Sequence, residues 1–207
     1  MDIFNIDAKD MNLFATSQEA YIACCVVALL WISELAIWFY TSFAQRKHSR
    51  DLTLWLIIGA WCWGVASGIV FRDTDMPSWV QNLLFPHIIY YLGLVLIVVG
   101  VVIRCLAVIT LRHAFTHNVQ TTSDQHLIQS GLYQWVRNPA YTGSIVSLIG
   151  ATFVYRSVIA TISTILVCAI CYGLRIHVEE RALQNQFHAE FMDYCQKVKY
   201  RLFPGVY

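Results

Sequence analysis

Charge is what this chain has least of. Of its 207 residues only 13% are Asp, Glu, Lys or Arg, against roughly 25% in a water-soluble domain. Half the usual charge does not cover a soluble globule of this size, so a freely soluble enzyme and a disordered chain are both excluded. The formal net charge is +1. No basic block is long enough to neutralise a run of phosphates, so nucleic acid is not an expected partner. No Gly-x-Gly occurs anywhere in the chain, which removes the glycine turn of a doubly wound nucleotide-binding fold. Seven cysteines, an odd number without regular spacing, do not form a disulfide framework. The opening MDIFNIDAKD lacks the basic stretch of a secretory leader, so no such leader is expected.

What the chain does have is apolar length. Hydrophobic residues make up 57% and aromatics 14%, with seven Trp and eleven Tyr, as suits rings placed at bilayer interfaces. A run of about 20 apolar residues crosses a bilayer as a helix. Five runs qualify: 20–40, 52–71, 83–103 with an extension toward Ile109, 139–155 and 157–174. Only Arg156 parts the last two, which therefore read as a tight helical hairpin. The expected fold is all-α: a polytopic membrane bundle of five transmembrane helices with a C-terminal amphipathic helix on the cytoplasmic side. Residues 1–207 form one integral membrane domain, with 1–103 as a three-helix membrane part and 104–207 as the part that carries chemistry.

Orientation follows from the basic residues. With the N-terminus outside, the inner segments hold Arg46, Lys47, Arg50, Arg104, Arg112, Arg137, Arg175, Arg181, Lys197, Lys199 and Arg201. The outer ones hold only Lys9, Arg72 and Arg156. The segment 104–138 and the tail 175–207 then share the cytoplasmic face. Within the tail, Leu183, Phe187, Phe191, Tyr194 and Val198 recur at spacings of three and four, the pattern of an amphipathic helix. It continues or restarts helix five, and its stripe must be buried on protein or lipid. Pro204 and Gly205 are expected to stop it.

Several isolated features have bland readings that outweigh functional ones. Glu34 lies inside the first apolar run, where a carboxylate is a functional candidate by default, though a structural hydrogen bond accounts for it more simply. Ala60, Gly64 and Gly68 make a small-residue ridge, for close packing within the bundle or across a homodimer. Cys168 and Cys171 are formally Cys-x-x-Cys, but inside a helix they read as seam packing. His113, His117 and His126 are too few and scattered for a membrane metal centre, and no metal is expected.

The densest polar-aromatic cluster is Tyr133-Gln-Trp-Val-Arg-Asn-Pro-Ala-Tyr141-Thr-Gly. Proline at the first helical position and Asn before it start a helix at Pro139, with Asn138 as its cap. The exposed N–H groups and positive dipole end of that helix, beside Arg137, favour an anion such as a carboxylate. Further on, Arg175 and Glu179 are four apart and share a helix face where the apolar run ends. Each segment alone reads better as an ordinary interfacial helix end.

Together they say more. The blocks Phe115-Thr-His-Asn-Val-Gln120, Gln125-His-Leu-Ile-Gln-Ser-Gly-Leu-Tyr133 and Val136-Arg-Asn-Pro-Ala-Tyr141-Thr-Gly resemble the isoprenylcysteine carboxyl methyltransferase family. So does the tail Arg175-Ile-His-Val-Glu179-Glu180 with Leu183, Phe187, Phe191 and Tyr194. The resemblance covers roughly 104–207; the first half matches only in being transmembrane. It implies a helix bundle whose loop and C-terminal helices enclose S-adenosylmethionine. Positions matching the family's cofactor contacts are Gln120, His126, Leu127, Ile128, Tyr133, Asn138, Pro139, Ala140, Tyr141 and Glu179. Arg175 matches the position that handles the acceptor carboxylate, with Arg137 a further substrate-binding candidate; Arg175 and Glu179 are the expected catalytic pair. Many members carry His where this chain has Asn138, which donates a hydrogen bond but cannot become cationic.

The implied acceptor is a prenylated cysteine peptide or protein, or another amphiphile, with membrane lipid as the second partner. The resemblance places the chain in the endoplasmic reticulum if eukaryotic and in the plasma or inner membrane if prokaryotic. Two rivals stand beside it. One is a membrane methyltransferase acting on a lipid amine, whose nitrogen must lose a proton first; an arginine near the methyl donor suits an anionic acceptor better. The other is a non-enzymatic membrane transporter or scaffold, which would not bind S-adenosylmethionine. No broken helix pair or repeat symmetry supports a transporter.

Overall fold

A computed structural model describes residues 17–44, 53–71, 77, 79, 83–117 and 127–205. Among them are five α-helices and no named β-strand. They are α1 (Ser17–Ala44), α2 (Thr53–Val70), α3 (Ile88–His117), α4 (Pro139–Val154) and α5 (Val158–Lys197), with a short 3-10 turn, η1 (Gly131–Gln134), before α4. Three of these are long and apolar enough to cross a membrane, within Ser17–Ile37, Ile88–Leu111 and Val158–Lys197, while α2 and α4 are shorter apolar helices. The chain is an integral membrane protein.

Side-chain contacts give the helix directions. Tyr90 Oη donates to the Glu19 carbonyl at 2.8 Å and Arg104 Nη2 to Glu34 at 2.7 Å, so α3 runs parallel to α1. Gly93 lies against Gly150 and Gly100 against Gly143, so α4 runs back along α3. The α4–α5 hairpin turns on Tyr155 and Arg156, as the sequence pattern indicated. Arg156 takes a left-handed φ of 57° and its Nε donates to the Phe85 carbonyl at 3.0 Å. Ser157 then caps α5, its Oγ accepting from Ala160 N–H at 3.2 Å.

The α3–α4 crossing fixes the rest of the bundle, and glycine makes it. A Cβ on Gly143 would stand 2.6 Å from the Gly100 carbonyl and 2.7 Å from Arg104 N; one on Gly100 would meet Gly143 O at 2.5 Å. In hydrocarbon such close backbone approach replaces the hydrophobic drive that water would supply. The α2 ridge serves the same end inside the bundle: Ala60 is fully buried, Gly64 faces Leu148 and Gly68 faces Tyr155. Ser67 and Thr164 add a buried hydroxyl pair at 3.1 Å between α2 and α5. Leu30, Ile97, Leu148, Tyr172 and Ile176 fill the centre.

Helix α5 is two helical segments joined at a kink. It runs past the apolar run to 187, breaks at His188 (φ 44°, ψ −110°) and restarts to Lys197. The seventeen residues from 158 to 174 rise about 25 Å, most of a hydrocarbon thickness of about 30 Å, so the charged stretch from Arg175 onward emerges at one end. The tail stripe is buried against protein: Phe191, Tyr194 and Val198 form a second core with Leu127, Leu183 and Phe187 packed on it.

Two local expectations fail. The helix ends at Lys197, well before Pro204 and Gly205, because the carbonyls after it are taken by other donors. Arg137 N–H donates to Tyr200 O at 2.9 Å and Asn138 N–H to Arg201 O at 2.9 Å, while Thr142 Oγ1 donates to Leu202 O at 2.8 Å. Asn138 does stand at the N-cap of α4, but its side chain makes no cap bond. Its ψ of 59° is far from the extended value a capping residue needs, a consequence of pairing with the tail.

Gly143→Val should therefore cost about 1–3 kcal/mol or more from overpacking, read as a lower melting temperature of the detergent-solubilised chain. Gly173→Ala, which meets nothing within 4 Å, should show no loss.

Candidate functional site

The start of α4, the emerging part of α5 and the tail meet at one end of the bundle. Arg175 is buried there although it carries a charge. Its Nη2 donates to Glu179 Oε1 at 2.5 Å and its Nε to Tyr141 Oη at 3.2 Å. The helical spacing of four supplies the first contact and the α4–α5 packing the second. Tyr141 in turn packs at a 59° tilt against Tyr172, with ring centroids 5.4 Å apart. The guanidinium is thus held in a fixed plane by a carboxylate and a phenol, while a third of the Glu179 side chain stays accessible (34%).

Glu180, the next residue, turns the other way. It is buried and accepts from two guanidiniums, Arg137 Nε on Oε1 and Arg201 Nε on Oε2, each at 2.9 Å. Arg137 also donates through Nη1 to the carbonyls of Val198 and Lys199, at 2.8 and 2.9 Å. A buried carboxylate is tolerated only when its charge and lone pairs are met, and here both oxygens are. The result is a clasp tying the tail to the residue before α4. Arg137 is brought to this clasp rather than into contact with Arg175.

The loop side is completed by Tyr133 in η1, which is buried. Burial first, then the neighbouring Tyr194 phenol and Glu179 carboxylate, hold its phenol well above the usual range against the opposing pull of Arg104. It is a neutral group at any physiological pH. Its carbonyl accepts from Tyr194 Oη at 2.8 Å, and Leu127 N–H donates to Glu190 at 3.0 Å. The tail helix therefore holds the 127–134 segment at two points. Ile128 is half-buried beside it.

Of the residues singled out from sequence, Asn138, Pro139, Ala140, Tyr141, Arg175 and Glu179 lie at the start of α4 and on α5, and Tyr133 lies in η1, with Leu127 and Ile128 before it against the tail. Gln120 and His126 lie outside the described residues, as do the side chains of His113 and His117. Asn138 Nδ2 is a buried donor with no hydrogen-bond partner. Such an atom calls for an explanation, and a ligand rich in acceptors supplies one. The sequence reading passed over Glu180 and Arg201. Their signal was an acidic residue beside Glu179 and an arginine close to the final Pro-Gly, neither with a local partner at helical spacing.

The fold and the site define a small integral-membrane helical protein with a buried, carboxylate-held arginine at one end. The isoprenylcysteine carboxyl methyltransferase family model matches residues 92–185, which take in most of α3, all of η1 and α4, and both Arg175 and Glu179. Over 125 residues the chain is 37% identical to a protein named probable protein-S-isoprenylcysteine O-methyltransferase of Oryza sativa subsp. indica, covering 57% of this chain and 65% of that protein. The protein-S-isoprenylcysteine O-methyltransferase of Saccharomyces cerevisiae is 32% identical over 132 residues, covering 58% and 55%. That of Homo sapiens is 30% identical over 154 residues, covering 73% and 51%. The chain thus spans from about half to just under two thirds of the length of these relatives. The resemblance to this family is borne out by the family match and by relatives from plant, yeast and animal; Phe187, Phe191 and Tyr194 lie beyond the family-model span 92–185.

Removing the charge at the clasp should loosen the tail. Glu180→Gln is expected to cost about 3 kcal/mol, the scale for stripping one partner from a buried ion pair. It is read as a fall in melting temperature with faster proteolysis after Lys197, while exposed Lys199→Ala should change little.

Proposed function

We propose that this protein is an S-adenosylmethionine-dependent methyltransferase that esterifies the C-terminal carboxylate of an S-isoprenylcysteine. The observation that carries the reading is Arg175. It is a buried guanidinium, held in plane by Glu179 and Tyr141, at the position that matches the family's carboxylate-handling arginine and inside the matched span.

S-adenosylmethionine, when bound, supplies a methyl group already activated on a sulfonium. Gln120, His126, Leu127, Ile128, Tyr133, Asn138, Pro139, Ala140, Tyr141 and Glu179 would hold it. The unpartnered Asn138 Nδ2 fits an acceptor of that ligand, and the accessible part of Glu179 fits a hydroxyl or ammonium donor. An α-carboxylate is ionised at neutral pH, with a reference pKa of about 3.5. The chain therefore needs no general base. Its task is to orient the carboxylate and exclude water from it, and a planar, charge-assisted contact from Arg175 does the first. Arg137, committed to Glu180 and the tail carbonyls, acts by holding the tail rather than by touching the acceptor.

The prenyl chain gives a reason for a membrane-embedded enzyme, since it is already dissolved in the phase that surrounds the helices. All five helices are proposed to span, α2 and α4 included, with the N-terminus outside and the site and tail in the cytoplasm. The 11-to-3 split of basic residues supports that orientation. The membrane is the endoplasmic reticulum in a eukaryote and the plasma or inner membrane in a prokaryote. A lipid-amine acceptor is the weaker reading, because its nitrogen must lose a proton before attack, whereas a buried guanidinium suits an anionic acceptor directly.

Radiolabelled methyl transfer from S-adenosylmethionine to N-acetyl-S-farnesylcysteine, compared with phosphatidylethanolamine, tests the assignment. The farnesylcysteine should be labelled and the lipid amine not. Arg175→Ala and Glu179→Ala, each as a folded preparation, should lose about a hundredfold in turnover, the scale for removing one electrostatic contact at a reacting centre. Undiminished transfer by both variants would remove the role given to this pair.

A further inference from the structure

Helix α1 carries a carboxylate within its apolar run. Glu34 pairs with Arg104 of α3, seventy residues away: Nη2 donates to Oε2 at 2.7 Å, and Nε faces Oε1. Both side chains are largely buried, and the Trp61 ring lies under the guanidinium with its centroid 5.9 Å away. A charge at this depth is costly without its partner. The other arm of Arg104 reaches the first turns of α4, where Nη1 donates to the Ala140 carbonyl at 3.3 Å and to Ser144 Oγ. Ala140 is followed by Tyr141, whose hydroxyl accepts from Arg175.

Five residues thus link the first helix to the proposed acceptor arginine: Glu34, Arg104, Ala140 with Ser144, and Tyr141. A buried ion pair is in itself weak support for stability, since neutral residues of the same shape often fold as well. A neutral pair would not supply a fixed, forked donor reaching across α3 onto both a backbone carbonyl and a hydroxyl of α4. Displacements of about 1 Å at supporting residues are enough to cost about a hundredfold in rate.

We propose that Glu34 is a positioning residue for methyl transfer. It holds the Arg104 guanidinium across the α3–α4 crossing and so fixes the 139–144 turn, with Tyr141, against Arg175. This inference rests on the methyltransferase reading above, and it adds to the site a helix outside the matched span 92–185.

The test uses the full chain in lipid–detergent micelles with N-acetyl-S-farnesylcysteine as acceptor, reading kcat, acceptor KM and melting temperature for wild type, Glu34→Gln and Glu34→Gln/Arg104→Gln. Glu34→Gln should lose about tenfold or more in kcat with little change in KM, as loss of positioning does. The double variant removes both buried charges, so its melting temperature should return toward wild type while kcat stays low. Recovery of kcat along with melting temperature would overturn the proposal, because the pair would then be structural only. Wild-type kcat in Glu34→Gln would overturn it as well, and so would a double variant that does not fold. A wild-type chain that methylates no acceptor would instead strike the underlying assignment, which the wild-type control separates from these outcomes.

Discussion

One carboxylate carries the architecture of the site. Glu180 lies buried between Arg137 and Arg201, and everything at this end of the bundle depends on that contact. Because Arg137 sits just before the N-cap of α4 and Arg201 in the tail, satisfying one negative charge brings two chain segments together. Their backbones then pair, and the tail leaves the helix at Val198. With the tail in place, Phe191 and Tyr194 cover the 127–134 segment, and Tyr194 holds the carbonyl of Tyr133. Glu179, one residue earlier and about 100° around the helix, is left to face Arg175. Adjacent acidic residues thus do different work because a helix points them apart.

The membrane sets the second constraint. Between helices in hydrocarbon there is no water to expel, so packing must come from close backbones and polar contacts. The glycines of α3 and α4 supply the first, and the Ser67–Thr164 and Thr152–Thr161 hydroxyl pairs the second. The Glu34–Arg104 pair belongs to the same economy of polar contacts but ends on the α4 turn that presents Tyr141. The apolar bundle and the polar end are one mechanical unit joined at the α3–α4 crossing.

Much of this was legible in the sequence where the rule was local. Apolar length placed α2 and α4 to within a residue at each end and the starts of α1 and α5 to within three, but not the far ends of α3 and α5, which run on past their apolar runs into polar sequence. Proline after Asn138 marked the start of α4, Arg156 the hairpin turn, and the spacing from Leu183 to Val198 the tail stripe. The spacing of four between Arg175 and Glu179 announced their pair. What local rules missed were contacts chosen by tertiary structure. Glu34 has no partner within a helical turn, and nothing in the string points seventy residues on to Arg104. The Asn138 cap and the Pro204-Gly205 stop are sound local expectations that lost to one event: the tail carbonyls found better donors at 137–142. Arg137, read from its neighbours as an anion site, found its anion within the chain, at Glu180.

The central claim is that the group methylated is a carboxylate, held by Arg175 and needing no base. A carboxyl methyl ester is hydrolysed by alkali and releases its methyl as volatile methanol, whereas an N-methyl group is not. The most direct measurement is the alkali lability of the label transferred to a farnesylated cysteine by the purified chain. The account predicts quantitative release of volatile methanol from that product. Label that survives alkali, or that appears only in an aminophospholipid, would contradict it.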